Sequence, residues 1–284
     1  MTGGRPDSEE IEAGGSDLAA PVIESRPTGS LAITFPATST QPPLPDELES
    51  ILAGTTRHAI GYSPLLPNFI CVEVTNRSID ARGQGSWKHQ DRMTDLLTYR
   101  DNAENRTMME VEVHGQKSRA AREDLKGWLS HGEFGAILKS VFAPSSKANF
   151  QWKETGALGD STIQLFDYQV ARENSSFDIY LGNLQQATVG FHGQIFIEST
   201  THNVRRITMV ADDLPSKFPI QAASISVDYD YIVINNHDYL LPIDAQVRLN
   251  LGRREAVLNE IEFRNYRRFG STAKILDYAP VQTR

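Results

Sequence analysis

Seven histidines, two close pairs of carboxylates, a C-terminal group of arginines and one cysteine are the residues of this chain that could do chemistry. The histidines are His58, His89, His114, His131, His192, His202 and His237. No two stand in H-x-x-x-H or H-E-x-x-H spacing, so no helix offers a zinc-binding pair. Several fall at expected turns, where a solvated turn residue is the ordinary reading. Asp212 and Asp213, and Asp228 and Asp230, could divide acid and base roles if they shared a site. Asp228 and Asp230 do share a strand face, but it is the polar partner of a clean apolar one, so solvent exposure is expected. Cys71 lies in a strand and is expected to act as a small, half-buried hydrophobe. A nucleophile there would need a base, and no histidine adjoins it in sequence. Gly83-Gln-Gly85 lacks the further glycine and the strand–helix setting of a phosphate loop, and no G-x-S-x-G elbow is present. The residues therefore imply no catalytic group, no metal ligand and no cofactor. A hydrolase built on Asp212, Asp213 or an assembled His/Asp set ranks last.

Arg253, Arg254, Arg264, Arg267 and Arg268 form the remaining cluster. Such a patch could meet an acidic surface or lipid headgroups. Charged decoration of a sheet edge, which discourages edge-to-edge pairing, is the favoured reading.

The net charge of -8 is uneven. Residues 1–50 hold nine acids and two arginines, a net of -7, which leaves -1 for the rest. A neutral body with an acidic head argues against nucleic acid as the main partner. A single cysteine precludes an internal disulfide and a cysteine-rich zinc site. No apolar run reaches bilayer-spanning length. No basic, apolar, small-residue succession marks a signal peptide at Met1.

What must position these groups is mostly β. Residues 1–43 are rich in Gly, Ser, Thr, Pro and acid and read as a disordered head, with Leu31–Phe35 demoted from strand by Pro36. A first helix is expected from Pro45, capped by Asp46 and stopped at Gly61, with Ser63–Asn68 a rigid connector. Ser130-His-Gly-Glu133 fits a capping box, and Phe134, Ile137, Leu138, Val141 and Phe142 follow at helical spacing. Elsewhere the period is two. Ile70, Val72 and Val74 alternate with Cys71, Glu73 and Thr75. A hairpin is expected around Asp101-Asn102. The longest alternation runs through Ile225–Val233 and Tyr239–Leu251, on either side of a turn at Asn235–Asp238.

About ten strands in antiparallel order must curl, split or close, because twist accumulates. The expected fold is mainly β with two or three helices: a curved antiparallel sheet or half-barrel covered by helices, with a β-sandwich as the alternative. Its domain spans 44–276, followed by a tail at 277–284. Trp128, Phe134, Ile137, Leu138, Phe142, Phe150 and Trp152, with Leu241, Ile243 and Val247 of the long strand, are core or would line a hydrophobic hollow if the concave face leaves one.

Particular segments resemble a known family. Gly193-Gln-Ile-Phe-Ile-Glu198, Asn203-Val-Arg-Arg-Ile207, Val227-Asp-Tyr-Asp-Tyr231, Tyr239-Leu-Leu-Pro242 and Phe263-Arg-Asn-Tyr-Arg-Arg-Phe269 resemble a family of bacterial exported proteins of uncharacterised role. So do Leu66-Pro-Asn-Phe69 and His131-Gly-Glu-Phe134. More distantly, the strand series is similar to the periplasmic lipoprotein-carrier (LolA-type) superfamily. The resemblance runs from about Leu44 to Leu276. It implies a half-barrel whose apolar concave face is lidded by helices, a periplasmic location, and a noncatalytic role sheltering an acyl or other hydrophobic ligand. Relatives with this fold act instead as envelope-stress sensors that bind partner proteins. The resemblance carries over no catalytic residue.

Overall fold

The computed structural model describes residues 30–37, 41–118, 134–181, 185–252 and 255–269. Helix α1 (Pro45–Leu65) leads into β1 (Phe69–Asp80), β2 (Lys88–Arg100), β3 (Ala103–Val113) and the short β4 (Gln116–Ser118). Helix α2 (Ala136–Phe142) precedes β5 (Asn149–Leu158), β6 (Ser161–Val170), β7 (Asp178–Leu181) and β8 (Gln185–Thr188). The chain ends in a meander of β9 (Gly190–Glu198), β10 (Val204–Asp212), β11 (Ile220–Ile234), β12 (His237–Leu251) and β13 (Ala256–Arg268). Eleven strands form one open antiparallel sheet, ordered β4-β3-β2-β1-β13-β12-β11-β10-β9-β6-β5, while β7 and β8 pair separately. The protein is thus mainly β, as expected, and is not a two-sheet sandwich.

Two hairpins turn where the sequence placed them. Asp101 and Asn102 have φ of 53° and 64°, and Asn235 and Asn236 have 51° and 62°. Positive φ at both central residues is the twist-matched two-residue turn, and Asn and Asp tolerate it best.

Helix α1 differs from expectation at both ends. Its cap is Leu44, with Pro45 opening the helix and Asp46 in the first turn, where its charge still suits the positive helix end. It passes Gly61 and takes in Ser63 and Pro64 before stopping at Leu65. Tertiary contacts explain the extension: the Tyr62 hydroxyl donates to the Leu240 carbonyl at 2.9 Å, and Ser63 Oγ donates to the Phe134 carbonyl at 3.0 Å. Helix α2 starts after Gly135, whose φ is 115°. The expected capping box at Ser130–Glu133 lies outside the described residues.

The sheet is curled, and short contacts show it. Phe134 lies 6.0 Å from the Tyr99 ring of β2, whereas Phe142 stacks on Phe150 of β5 at 5.4 Å. Eight inter-strand steps separate β2 from β5. At about 4.8 Å per step they would stand roughly 38 Å apart in a flat sheet. The segment joining the two phenylalanines is largely helical and rises only about 12 Å. One buried cluster accordingly gathers Ile51, Ala59 and Tyr62 of α1, Ile137, Leu138, Val141 and Phe142 of α2, and residues of β1, β2, β6 and β9–β13.

The opposite face carries a second, smaller cluster. Leu31 and Ile33 are buried with Ile163, Leu165 and Phe196, and Phe35 and Ile243 pack against them. Thr34 pairs with Ala157 in both directions at 2.9 Å. Residues 30–37 are therefore a strap on the outer face, not part of a disordered head. The strap explains β6, where Ile163 and Leu165 bury outward and Phe166, Tyr168 and Val170 inward. The strand is buried on both sides.

A latch holds the strap. Arg206 forks onto Asp228, its Nη2 reaching Oδ2 at 2.6 Å, and the same Nη2 donates to Ser30 Oγ at 2.6 Å and to the Leu31 carbonyl at 3.0 Å. Asp228 also accepts the Leu31 N–H at 2.8 Å. Asp228 is thus 3% exposed and ion-paired, not solvated as its alternation suggested. Asp230 pairs with Arg205. Asp244 and Glu262 continue the row beside Asp228, one per strand. Burial first, then the carboxylates of Asp228 and Glu262, push Asp244 from its ordinary 3.8 up to about 7, against the pull of Arg206. Between those values the native state holds the extra proton. This group's contribution is therefore fully present at the acid end and is lost as pH rises towards 7. Asp244→Asn is expected to remove that slope and raise stability at about pH 8 by roughly 1–3 kcal/mol, or about 2–4 °C of Tm per kcal/mol. Thermal melts of both proteins at about pH 5 and about pH 8 check it; identical slopes would refute the assignment.

Candidate functional site

A cleft of about 270 Å³ lies between the C-terminal half of α1 and the tip of the β11–β12 hairpin. Thr55, His58, Ala59, Tyr62, Leu65 and Leu66 form its helical wall, and Leu138 of α2 adds to it. Asn203 and Val204 at the start of β10, Tyr231 of β11, and Asp238, Tyr239 and Leu240 of β12 form the other. The lining is mainly apolar, with Thr55, His58, Asn203, Asp238 and the hydroxyls of Tyr62, Tyr231 and Tyr239 as its polar members. Leu65 is 75% exposed at the mouth and Tyr231 37%.

Local sequence sets the cleft's width. A Cβ at Gly54 would lie 2.7 Å from Cγ of His202, so only glycine lets α1 approach the β9–β10 turn this closely. His202 itself holds φ of 57° in that turn. The Tyr62–Leu240 hydrogen bond ties the helix to β12. Burial, together with Tyr229, Tyr99 and Glu104, holds the Tyr62 phenol well above its ordinary 10.0, so it is a neutral donor.

A hydrogen-bonded chain runs from the cleft into the sheet. His58 Nδ1 is 3.0 Å from Asn203 Oδ1, and Asn203 Nδ2 donates to the Tyr231 hydroxyl at 3.0 Å. That hydroxyl donates to Glu198 Oε2 at 2.9 Å. Glu198 also accepts from Ser161 at 2.6 Å and Thr201 at 2.8 Å, and pairs with Arg205 at 3.4 Å. The Arg205 guanidinium lies 4.8 Å over the Tyr231 ring. Burial pushes the Glu198 carboxyl up, but the bonds from Ser161, Thr201 and Tyr231 and the charge of Arg205 outweigh it and hold the group below its ordinary 4.5.

The groups singled out by sequence are dispersed. Phe134, Ile137, Leu138, Phe142 and Leu241 lie in the main cluster at 0–4% exposure, and Phe150, Trp152 and Val247 pack half-buried against it. Leu138 is the member of that set that reaches the cleft. Trp152 also donates to Gln164 at 2.8 Å. Ile243 falls on the outer face: Asp228 pairs with Asp244 and Tyr229 with Pro242, so Ile243 is the extra residue of a bulge. Trp128, Arg253 and Arg254 lie outside the described residues. Arg264, Arg267 and Arg268 are exposed on β13, and Arg264 is 3.7 Å from Glu262. β13 lies between β1 and β12, but its pairing with β12 ends at Glu262, so Arg264, Arg267 and Arg268 stand on a stretch paired with β1 alone. His192 and Asp212 pair at 2.9 Å. Cys71 is 1% exposed, more deeply buried than expected, and burial first, then Glu73, drive its thiol far up. Among the described residues no group of three His, Cys, Asp or Glu side chains could hold a metal ion, and no helix is long and apolar enough to cross a membrane.

Sequence reading missed the cleft because its walls come from segments read separately. Leu65 and Leu66 belong to an expected connector, and Asp238 to an expected turn. It also missed charges inside the fold. On β1, Cys71, Glu73, Thr75 and Arg77 face inward, since Glu73 opposes the core residue Phe263. Arg106 bridges Glu73 at 2.8 Å and Glu104 at 2.9 Å, and Arg77 grips Asp91 through two bonds of 2.6 Å.

No protein-family model matches the chain, and no curated protein matches its sequence. Two solved structures show a distant likeness. One is a LolA superfamily protein from Nitrosomonas europaea, at 10% identity and a TM-score of 0.31, covering 80% of this chain and 96% of that one. The other is a DUF1329 family protein from Desulfovibrio piger, at 9% identity and a TM-score of 0.33, covering 78% of this chain and 93% of that one. Overlap at this level defines neither a shared fold nor a shared ligand.

Proposed function

We propose that the protein is a noncatalytic binding protein that shelters a small apolar ligand or a single acyl chain in the cleft between α1 and the β11–β12 hairpin. The observation that carries this reading is the cleft itself: an open, mainly apolar concavity of about 270 Å³. The volume falls just under the ~300–1,000 Å³ of ordinary ligand pockets, so one chain suits it better than a several-chained lipid. Each methylene removed from water contributes about 0.8 kcal/mol, enough to drive capture with few polar contacts. In this reading the two helices lid a half-barrel, Leu138 closes the inner end of the cleft, and Phe134, Ile137, Phe142 and Leu241 support it as core. The cell envelope is the compartment this role suits, following the family resemblance of the strand segments.

The test is uptake of the neutral fluorescent probe N-phenylnaphthylamine by the purified protein. Leu66→Trp fills the cleft from a half-buried wall position. It is expected to weaken uptake at least about tenfold, with the circular dichroism spectrum and melting curve unchanged. Undiminished uptake by that variant would move the ligand elsewhere, and no uptake by the native protein would overturn the reading.

A further inference from the structure

The hydrogen-bond chain at the cleft has a direction, and the direction selects a ligand head group. Glu198 is held as a carboxylate, which can only accept. Tyr231 therefore spends its proton on Glu198, and its oxygen accepts from Asn203 Nδ2. That turns the Asn203 carbonyl oxygen towards His58, so His58 Nδ1 must carry a hydrogen. The other ring nitrogen of the neutral imidazole is then an acceptor. The remaining charged group of the lining is the carboxylate of Asp238, and among the described residues no Lys or Arg lines the cleft. The polar end of the site is thus rich in acceptors and carries negative charge.

We infer that the cleft takes a single-chain amphiphile whose head donates hydrogen bonds and bears no negative charge, an alcohol or an amine rather than a carboxylate. This rests on the binding reading above and adds the polarity of the head. A carboxylate head would face Asp238 with no cation among the described lining residues to offset it, and would find the imidazole's acceptor nitrogen an acceptor like itself. An ammonium or hydroxyl head meets both groups favourably.

Displacement of N-phenylnaphthylamine from the full chain at about pH 8 separates the cases. Decylamine and decanol are expected to displace the probe at concentrations about tenfold or more below those needed for decanoate. Asp238→Asn, at an exposed position, should narrow the gap between amine and decanoate several-fold. Tyr231→Phe removes the link that sets the Asn203 amide and should narrow the gap between alcohol and decanoate. Decanoate displacing as well as or better than the amine would overturn the inference while leaving apolar binding intact. Failure of the probe to bind would overturn both.

Discussion

Arg106→Met is expected to destabilise the protein by about 3–5 kcal/mol, the usual cost of removing one partner from a buried ion pair. The Arg106 side chain is 6% exposed and bridges Glu73, at 5%, and Glu104, at 19%. Removing it takes away the cation that bridges the two acids. Burial chiefly raises the phenol pKa of both Tyr62 and Tyr99, and Glu104 adds to the rise. Equilibrium urea unfolding at neutral pH measures the loss. Adding Glu73→Gln to Arg106→Met should recover part of it, because neighbouring charges do not add. A loss below about 1 kcal/mol would mean that water reaches the pair and screens it.

The second large effect is expected at Gly193. A Cβ there would lie 2.8 Å from the Thr208 carbonyl carbon on β10, closer still to its oxygen, and 3.1 Å from the Tyr168 hydroxyl. The space is already used: Tyr168, opposite Gly193 on β6, reaches over it to donate to the Thr208 carbonyl at 2.9 Å. An aromatic covering a strand glycine restores the packing that the glycine gives up. Gly193→Ala must push backbone, not a flexible side chain, and is expected to cost about 3 kcal/mol or more. Tyr168→Phe leaves the carbonyl without that donor and should cost about 1–3 kcal/mol. Thermal melts of the two variants rank them; an alanine variant as stable as the native protein would contradict the geometry.

Period-two patterning located the strands well and the faces less well. The turns at Asp101-Asn102 and Asn235-Asn236, the long β11–β12 pair and the antiparallel order were legible because each depends on local residue type. Which face of β1 points inward was not. Ile70, Val72 and Val74 look like the core row, yet Cys71, Glu73, Thr75 and Arg77 occupy it, their charges matched by Arg106 and Asp91 from other strands. Ion partners on neighbouring strands leave no mark in the periodicity of one strand. Ile243 was misplaced for a related reason: one bulge residue shifts a side chain to the other face. Leu31–Phe35 was set aside because Pro36 and its polar surroundings argue against a strand, whereas three apolar residues suffice for a strap once Arg206 and Asp228 anchor it.

The candidate site was the least legible part. Its apolar half was foreshadowed only by Leu138, and its polar half joins residues 58, 203, 231 and 238, which no spacing rule connects. Of its determinants, Gly54 left the faintest sequence signal, a glycine inside an otherwise ordinary helix.

Methyl NMR of the protein with decanol would test the central claim most directly. Shifts are expected at Leu65, Leu66, Leu138, Val204 and Leu240, which line the cleft. Ile137, Val141 and Leu241, buried in the core at 0% exposure, should stay unperturbed. Shifts concentrated on the enclosed set, or none at saturating decanol, would contradict a ligand seated between α1 and the β11–β12 hairpin.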